Sequence, residues 1–394
     1  MSHQLASLKE RYNTVSEMSE FQDKIPAAQG KVEFLCDPKS GGIATQISGT
    51  GLIALYCVAV SMDGRHLLST VTPPGLGETP VCPRPSVTTY IQSDAHGMWG
   101  RNCPFCKKYF RTNHVFGITF CPYCAAGTDS LHFISKEQRT YITAFYDAFA
   151  RAYLRRMNTS LDMSEITDLT PAWHYSEEKQ QFHFSCCTTG CNTATDILGE
   201  FGYCPKCGRT NARTLFFNRM GDMLTRLEHV KNTIEGRGER GKIWEEMTKA
   251  AVSELEALAR HLRTKLLCFP MTSNRRKSLE TLNFQKPLEA DALLVQWFDI
   301  GLLEWRGNAT CPGRKVAQAE LPFIEKMLQK RHILIHNGGI VDQAYLDLSG
   351  DSQSRLGQRV EVRSHEAKHL IESVQAMAAN FLDNVEDAFE ERIT

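Results

Sequence analysis

The chain has no excess of charge of either sign. Lys plus Arg and Asp plus Glu number 45 each in 394 residues, so no whole-molecule field gathers nucleic acid or an anionic membrane, and a polyanion has to be held by a local patch. Long apolar runs are also missing. The longest, GLIALYCVAVSM, is too short to span a bilayer, carries a Cys and a Tyr, and stops at the turn signal Asp63-Gly64, which predicts a buried strand. The opening MSHQLASLKERYNTVSEM has no apolar signal-peptide core, and its Leu5, Leu8 and Tyr12 follow helical spacing instead. These absences predict a cytoplasmic protein with no membrane partner. Proline and glycine, at 15 and 27, are not inflated, and no tract is of low complexity. A folded chain of about two to three domains is therefore expected.

Cysteine is what the chain has in quantity. Fourteen thiols in a reducing compartment point to metal ligation rather than disulfides. The block CPFCKKYFRTNHVFGITFCPYC sets Cys103 and Cys106 two residues apart, then Cys121 and Cys124 two apart after a fourteen-residue spacer. Each such knuckle aims two sulfurs at one point, and four thiolates complete a tetrahedral zinc shell. A second block, FHFSCCTTGCNTATDILGEFGYCPKCGRTN, ends in the knuckle Cys204 and Cys207, while its first half offers Cys186 or Cys187 with Cys191. Alternation with Phe182 and Phe184 favours Cys186, and the shorter separation from Cys191 favours Cys187. Both blocks resemble zinc ribbons, and with no ligand position left open the two Zn2+ ions are expected to be structural. Lys107, Lys108, Arg111 and His114 are candidate contacts to nucleic acid, with His114 also an alternative ligand. Cys36, Cys57, Cys82, Cys268 and Cys311 have no knuckle partner and read as buried or incidental thiols.

The expected fold is a multidomain α+β chain. Residues 1–95 form a β-rich segment behind a short helix over 1–24, closed by the turn-rich TPPGLGETPVCPRPS. A first ribbon covers 96–130, a linking segment 131–172 with a helix over 135–157, and a second ribbon 173–211. The loose echo between the two cysteine blocks is the one internal repeat. After a change of composition near 210, residues 212–394 form an all-α bundle with helices over 213–233, 242–267, 288–304, 320–337 and 364–391. The break at 338–362 has room for a short hairpin. SNRRKS, with Arg275, Arg276 and Lys277, reads as a solvated loop, DNVEDAFEER as a solvated helix face, and Trp297, Phe298 and Trp305 as core or dimer interface.

In the helix over 320–337, Leu321, Ile324, Leu328 and Ile335 trace an apolar stripe whose missing member is Arg331. A guanidinium there has to be paired or used. His336 follows five residues later, about 140° around the helix, and Asn337-Gly338-Gly339 closes it. A cationic cluster in a last turn also suits the helix dipole, and His332 with His336, four apart, form a metal pair that lacks a third ligand.

Arg331, four residues, then His336, with a polar residue directly after the Arg, resembles the Arg-X4-His signature of the HEPN ribonuclease superfamily. The surrounding RHILIHNGGIVDQAYL is similar to versions found in bacterial phage-defence and toxin proteins. The resemblance covers residues 212–394. It implies metal-independent RNA cleavage in which His336 serves as base or acid and Arg331 stabilises charge on phosphate. It further implies that His332 and Asn337 position the phosphate or orient His336, and that a homodimer faces two motifs across one cleft. The expected partners are RNA, a second copy and a regulatory ligand or protein. The rival reading is a non-catalytic ribbon protein that binds nucleic acid or acts as a scaffold.

Overall fold

The structure, a computed structural model, describes residues 31–48, 55–61, 64, 67–71, 86–92, 98–114, 117–162, 181–284, 286–304 and 316–390. The helix expected over 1–24, most of TPPGLGETPVCPRPS, Cys82, Trp305 and Cys311 lie outside them. The chain divides into two compact units, Met1–Thr210 and Asn211–Thr394. Among the described residues no helix is long and apolar enough to cross a membrane.

Among its described residues the first unit holds three antiparallel sheets. Strand β1 (Lys31–Cys36) pairs with β2 (Ile43–Ser48) on one side and with β8 (Thr159–Asp162) on the other. A second sheet places β3 (Leu55–Ser61) between β4 (Leu67–Val71) and β5 (Ser86–Gln92). The run expected to be a strand is β3, and Gly64 turns the chain after it with φ +71°. Gly64 N–H donates to Ser61 O at 2.8 Å, and a Cβ there would run into the Tyr146 ring, so only glycine fits.

Helix α1 (Lys136–Arg155) joins the two sheets. It starts where the sequence expects, because Ser135 and Gln138 form a reciprocal capping box. Tyr141, Ile142, Phe145, Ala148 and Ala152 recur at helical spacing and are buried against Val32, Phe34 and Leu161 of one sheet and Val60 and Val87 of the other. A single core thus serves both sheets.

The third sheet has the order β6 (Trp99–Asn102), β7 (Tyr109–Thr112), β10 (Ala194–Leu198), β9 (Gln181–Ser185). β6 and β7 belong to the first cysteine block, β9 and β10 to the second. The two blocks, read as separate modules in the sequence, therefore share one sheet, joined where Thr195 and Asp196 pair with Thr112 and Arg111.

The second unit is helical. Its elements are α2 (Ala212–Thr233), α3 (Arg237–Leu266), α4 (Ser273–Glu280), α5 (Pro287–Phe298), α6 (Leu321–His336), α7 (Gln343–Ser349) and α8 (Ser364–Glu390). α3 runs along α8, α2 lies against both, and α6 packs on α3 and α8 and carries α7. The buried face of α8, from Ala367 through Leu370, Ile371, Val374, Met377, Ala378 and Phe381 to Val385, follows three-and-four spacing.

Four expectations are corrected here. SNRRKS is not a loop but the helix α4, capped by the Thr272 side chain, which accepts from Arg275 N–H. The helix expected over 288–304 ends at Phe298, with Asp299 in the left-handed region. Beyond it the backbone is claimed from elsewhere: Asn380 donates to Leu302 O, Asn384 to Gly301 O and Glu304 O, and Asp291 accepts from Leu302 and Leu303 N–H. The break at 338–362 contains α7 rather than a hairpin, with only an isolated bridge between Ile340 and Arg359. The acidic C-terminal face is not merely solvated, since Arg213 of α2 pairs with Asp383 and Glu386. Trp297 and Phe298 are half-buried, their rings edge to face at 6.5 Å.

Candidate functional site

Helix α6 turns its inner face, made of Ile324, Met327, Lys330, Arg331 and Ile333, toward the bundle. The stripe expected from sequence is rotated. Ile335 is 43% exposed and Leu328 only half-buried, while two adjacent cations occupy inner positions.

The environments of those cations differ. Lys330 Nζ donates to Glu366 Oε1 at 2.9 Å, Glu366 Oε2 at 3.1 Å and Glu361 O at 3.0 Å. An ammonium has three donors, so Lys330 is satisfied. Glu366 also accepts from Arg363 N–H at 3.0 Å. Burial alone would raise the Glu366 carboxyl, but the Lys330 hydrogen bonds and charge outweigh it and hold it below its ordinary value.

Arg331 has no such partner. Among the described residues its paired carboxylate is Glu256 of α3, 3.9 Å from the guanidinium, which Arg260 also approaches at 3.6 Å. Arg331 Nε is buried and makes no hydrogen bond among the described residues. A buried guanidinium with donors left over is costly unless something else uses them.

His332 and His336 lie on the outer side of α6, both exposed, with ring centroids 4.7 Å apart. The structure therefore brings the two histidines together. It does not join Arg331 to either imidazole, and among the described residues no third metal ligand accompanies the pair.

The side-chain amide of Asn337 bonds within the turn rather than to His336. Its Nδ2 donates to Ile340 O at 2.8 Å and reaches Asp342 Oδ2 at 3.5 Å, closing the turn after the helix. Gly339, at φ +80°, donates its N–H to Ile333 O, which is the helix-ending geometry expected of Asn-Gly-Gly. Arg359 holds the turn from outside, donating to Gly338 O at 2.7 Å while pairing with Glu245 at 2.8 Å. Glu256, Lys330, Glu366 and Arg359 were not singled out from the sequence. The pairs Glu256–Arg331, Lys330–Glu366 and Arg359–Glu245 span tens to more than a hundred residues, and no local pattern announces them.

Among the described residues the cysteines form two clusters. Cys103, Cys106, Cys121 and Cys124 make one, Cys186, Cys191, Cys204 and Cys207 the other, with all sulfurs of a cluster within 4.8 Å of one another. The nearest cross-knuckle pairs are 3.7 Å for Cys103 with Cys124 and for Cys106 with Cys121. In the second cluster they are 3.5 Å for Cys186 with Cys207 and 3.7 Å for Cys191 with Cys204. Four sulfurs held about 2.3 Å from one centre stand about 3.8 Å apart, so each cluster fits a tetrahedral ion.

Cys187 is exposed and belongs to neither cluster. Cys186 N–H donates to Thr193 O at 2.8 Å, carrying the β9 ladder on by one residue. Successive side chains then point to opposite faces, and Cys187 is turned outward.

Arg111, expected to contact nucleic acid, is fully buried. Gly100, Arg111, Asp196 and His183 form one rung across the sheet. Along it Arg111 pairs with Asp196 at 2.5 Å and His183 Nδ1 lies 2.6 Å from the other carboxylate oxygen. Burial alone would raise the Asp196 carboxyl, but Arg111 and the His183 hydrogen bond hold it low. His114 is half-buried outside the clusters, and burial, then the neighbouring Lys206, pushes its imidazole down, so it favours the neutral form. Lys107 and Lys108 are exposed. Of the thiols outside the knuckles, Cys36 is half-buried and Cys268 exposed.

Among known proteins, no family model, no curated sequence and no solved structure matches the chain.

Proposed function

We propose that the chain is a metal-independent endoribonuclease of the HEPN kind, working as a homodimer through its helical unit and carrying two structural zinc ions. The observation that supports it best is the nearly buried Arg331, whose Nε makes no hydrogen bond and whose paired carboxylate is 3.9 Å away among the described residues, on the same helix end as two exposed, adjoining histidines. A phosphodiester supplies the acceptors that this guanidinium lacks, in the planar two-oxygen geometry it matches.

The chemistry requires no metal. An imidazole takes the proton of the ribose 2′-hydroxyl, O2′ bonds to phosphorus, the P–O5′ bond breaks, and a second imidazole protonates O5′. The products are a 2′,3′-cyclic phosphate and a 5′-hydroxyl. His336 is one of these imidazoles, His332 steadies the phosphate, and Arg331 balances charge developing on the phosphorane. The complementary imidazole comes from a second copy. Ile335, exposed on the same turn of the helix, gives that contact an apolar group. The zinc ions shape the first unit and take no part, since a four-thiolate shell leaves no open position. Thiolates in this number suit the reducing cytoplasm, and a role in phage defence or as a toxin follows from the family resemblance.

The test is RNA cleavage in the presence of excess chelator. Wild-type protein is expected to cleave and to leave cyclic phosphate ends, and His336→Ala to lose that activity. Equal cleavage by His336→Ala, or prompt loss on chelation with rescue by added metal, rules the reading out.

A further inference from the structure

Three of the four cysteine knuckles share one construction: Cys103-Pro104-Phe105-Cys106-Lys107, Cys121-Pro122-Tyr123-Cys124-Ala125 and Cys204-Pro205-Lys206-Cys207-Gly208. The last residue of each sits in the left-handed region, at φ +62°, +56° and +71°. At each tip the chain must present the residue between the cysteines, and these are Phe105, Tyr123 and Lys206.

Phe105 is 60% exposed on a rigid turn whose N–H groups at 105 and 106 both point to Cys103 Sγ at 3.4 Å. An exposed phenylalanine on so small a turn adds nothing to the core. On the opposed knuckle Tyr123 is half-buried, and Lys108 Nζ stands 5.0 Å from its ring centroid. The third knuckle is pinned to the second, since Pro205 O accepts from Thr119 and Phe120 N–H at 2.9 Å and Pro122 O accepts from Tyr203 N–H at 2.9 Å. The tips are thus parts of one stiff body.

Charge is sorted as well. In a chain of zero net charge, residues 101–128 and 201–221 contain no Asp or Glu. Lys107, Lys108, Lys206 and Arg209 are their exposed cations on and beside the knuckles.

We propose that the knuckle tips of the first unit form a docking surface for single-stranded nucleic acid. Phe105 stacks on a base, with Tyr123 extending the platform, and Lys107, Lys108, Lys206 and Arg209 meet the phosphates. Rings alternating with cations and free of carboxylates match a strand that displays base faces and phosphates together. A duplex hides its base faces and does not match. The surface extends the RNA reading above without depending on cleavage, because it lies in the other unit and binding is read separately.

The experiment uses full-length, zinc-loaded protein carrying His336→Ala, with fluorescence anisotropy on labelled oligouridylate RNA of about 20 nucleotides, oligothymidylate DNA of the same length, and a duplex. The DNA arm lacks a 2′-hydroxyl, so it reports binding whether or not the cleavage reading holds. Both single strands are expected to bind more tightly than the duplex; RNA above DNA adds a 2′-hydroxyl contact to the same surface. Phe105→Ala is expected to weaken single-strand affinity about 5-fold or more, with Phe105→Trp restoring it. Lys107→Gln combined with Lys206→Gln should reduce the slope of log affinity against log salt by about 1.4. Zinc content and circular dichroism verify that each variant is folded. Parental affinity in folded Phe105→Ala, or a duplex bound as tightly as the single strands, overturns the proposal.

Discussion

Lys330 Nζ of α6 lies 2.9 Å from Glu366 Oε1 at the start of α8, with side chains only 7% and 10% exposed. The pair ties the helix that carries Arg331 and both histidines to the bundle. Removing the Glu366 charge leaves the Lys330 ammonium buried without a carboxylate, at a cost of about 3–5 kcal/mol. Glu366→Gln is therefore expected to lower the melting temperature of the helical unit by on the order of 10 °C. Lys330→Met with Glu366→Leu should recover most of the loss, because no lone charge remains. Calorimetry of the three proteins decides, and a Glu366→Gln melting curve equal to wild type refutes the account.

The same pair sets an acid limit. The folded carboxyl of Glu366 is held below its ordinary 4.5 and that of Asp196 below its ordinary 3.8. A depressed carboxyl contributes stability that is complete above its unfolded value and is lost as pH falls through its folded value. Stability should therefore be flat in these two groups above about pH 5 and fall below pH 4. Denaturant midpoints measured across that range test it. Asp196→Asn should shrink the acid dependence of the first unit, and an unchanged slope counts against the assignment.

Arg331 offers a different outcome from Lys330. Its guanidinium lacks a close carboxylate, so its loss should affect chemistry more than folding. Arg331→Lys keeps the charge but not the planar fork, and cleavage is expected to fall roughly 100-fold or more. Thermal stability should change by much less than in Glu366→Gln. A large stability loss with cleavage intact reverses the roles argued for the two cations.

Metal content separates the adjacent cysteines. Zinc measured by elemental analysis is expected at two per chain in the wild type and in Cys187→Ser, but at one or fewer in Cys186→Ser. One or none is expected because the two clusters share a sheet, and opening the second loosens the β7–β10 pairing. Two ions retained in Cys186→Ser contradict the ligand set.

Much of the fold could be read locally. The capping box at Ser135, the spacing of Tyr141, Phe145, Ala148 and Ala152, and the Asn-Gly-Gly ending all express short-range rules. The helix over 288–304 ends early because longer-range partners decide it, whereas the SNRRKS segment is helical through a single short-range cap. Asn380 and Asn384 take the carbonyls at 301, 302 and 304, and α4 is short enough that its Thr272 cap counts as much as its composition.

Taken alone, the sequence determined which residues can make four-thiolate clusters, where most helices run, and that Arg331 is anomalous on its helix. Knuckle spacing, helical period and capping act within a few residues, so they survive without knowledge of what packs nearby. The tertiary structure decided that Cys186 faces inward and Cys187 outward, and that the two cysteine blocks share one sheet. It also buried Arg111 against Asp196 rather than offering it to a ligand, and gave Lys330 a carboxylate at 2.9 Å but Arg331 one only at 3.9 Å. Each of these outcomes depends on which groups from distant parts of the chain are brought within hydrogen-bond reach, and burial makes such encounters decisive because an unpaired charge or polar group there is costly.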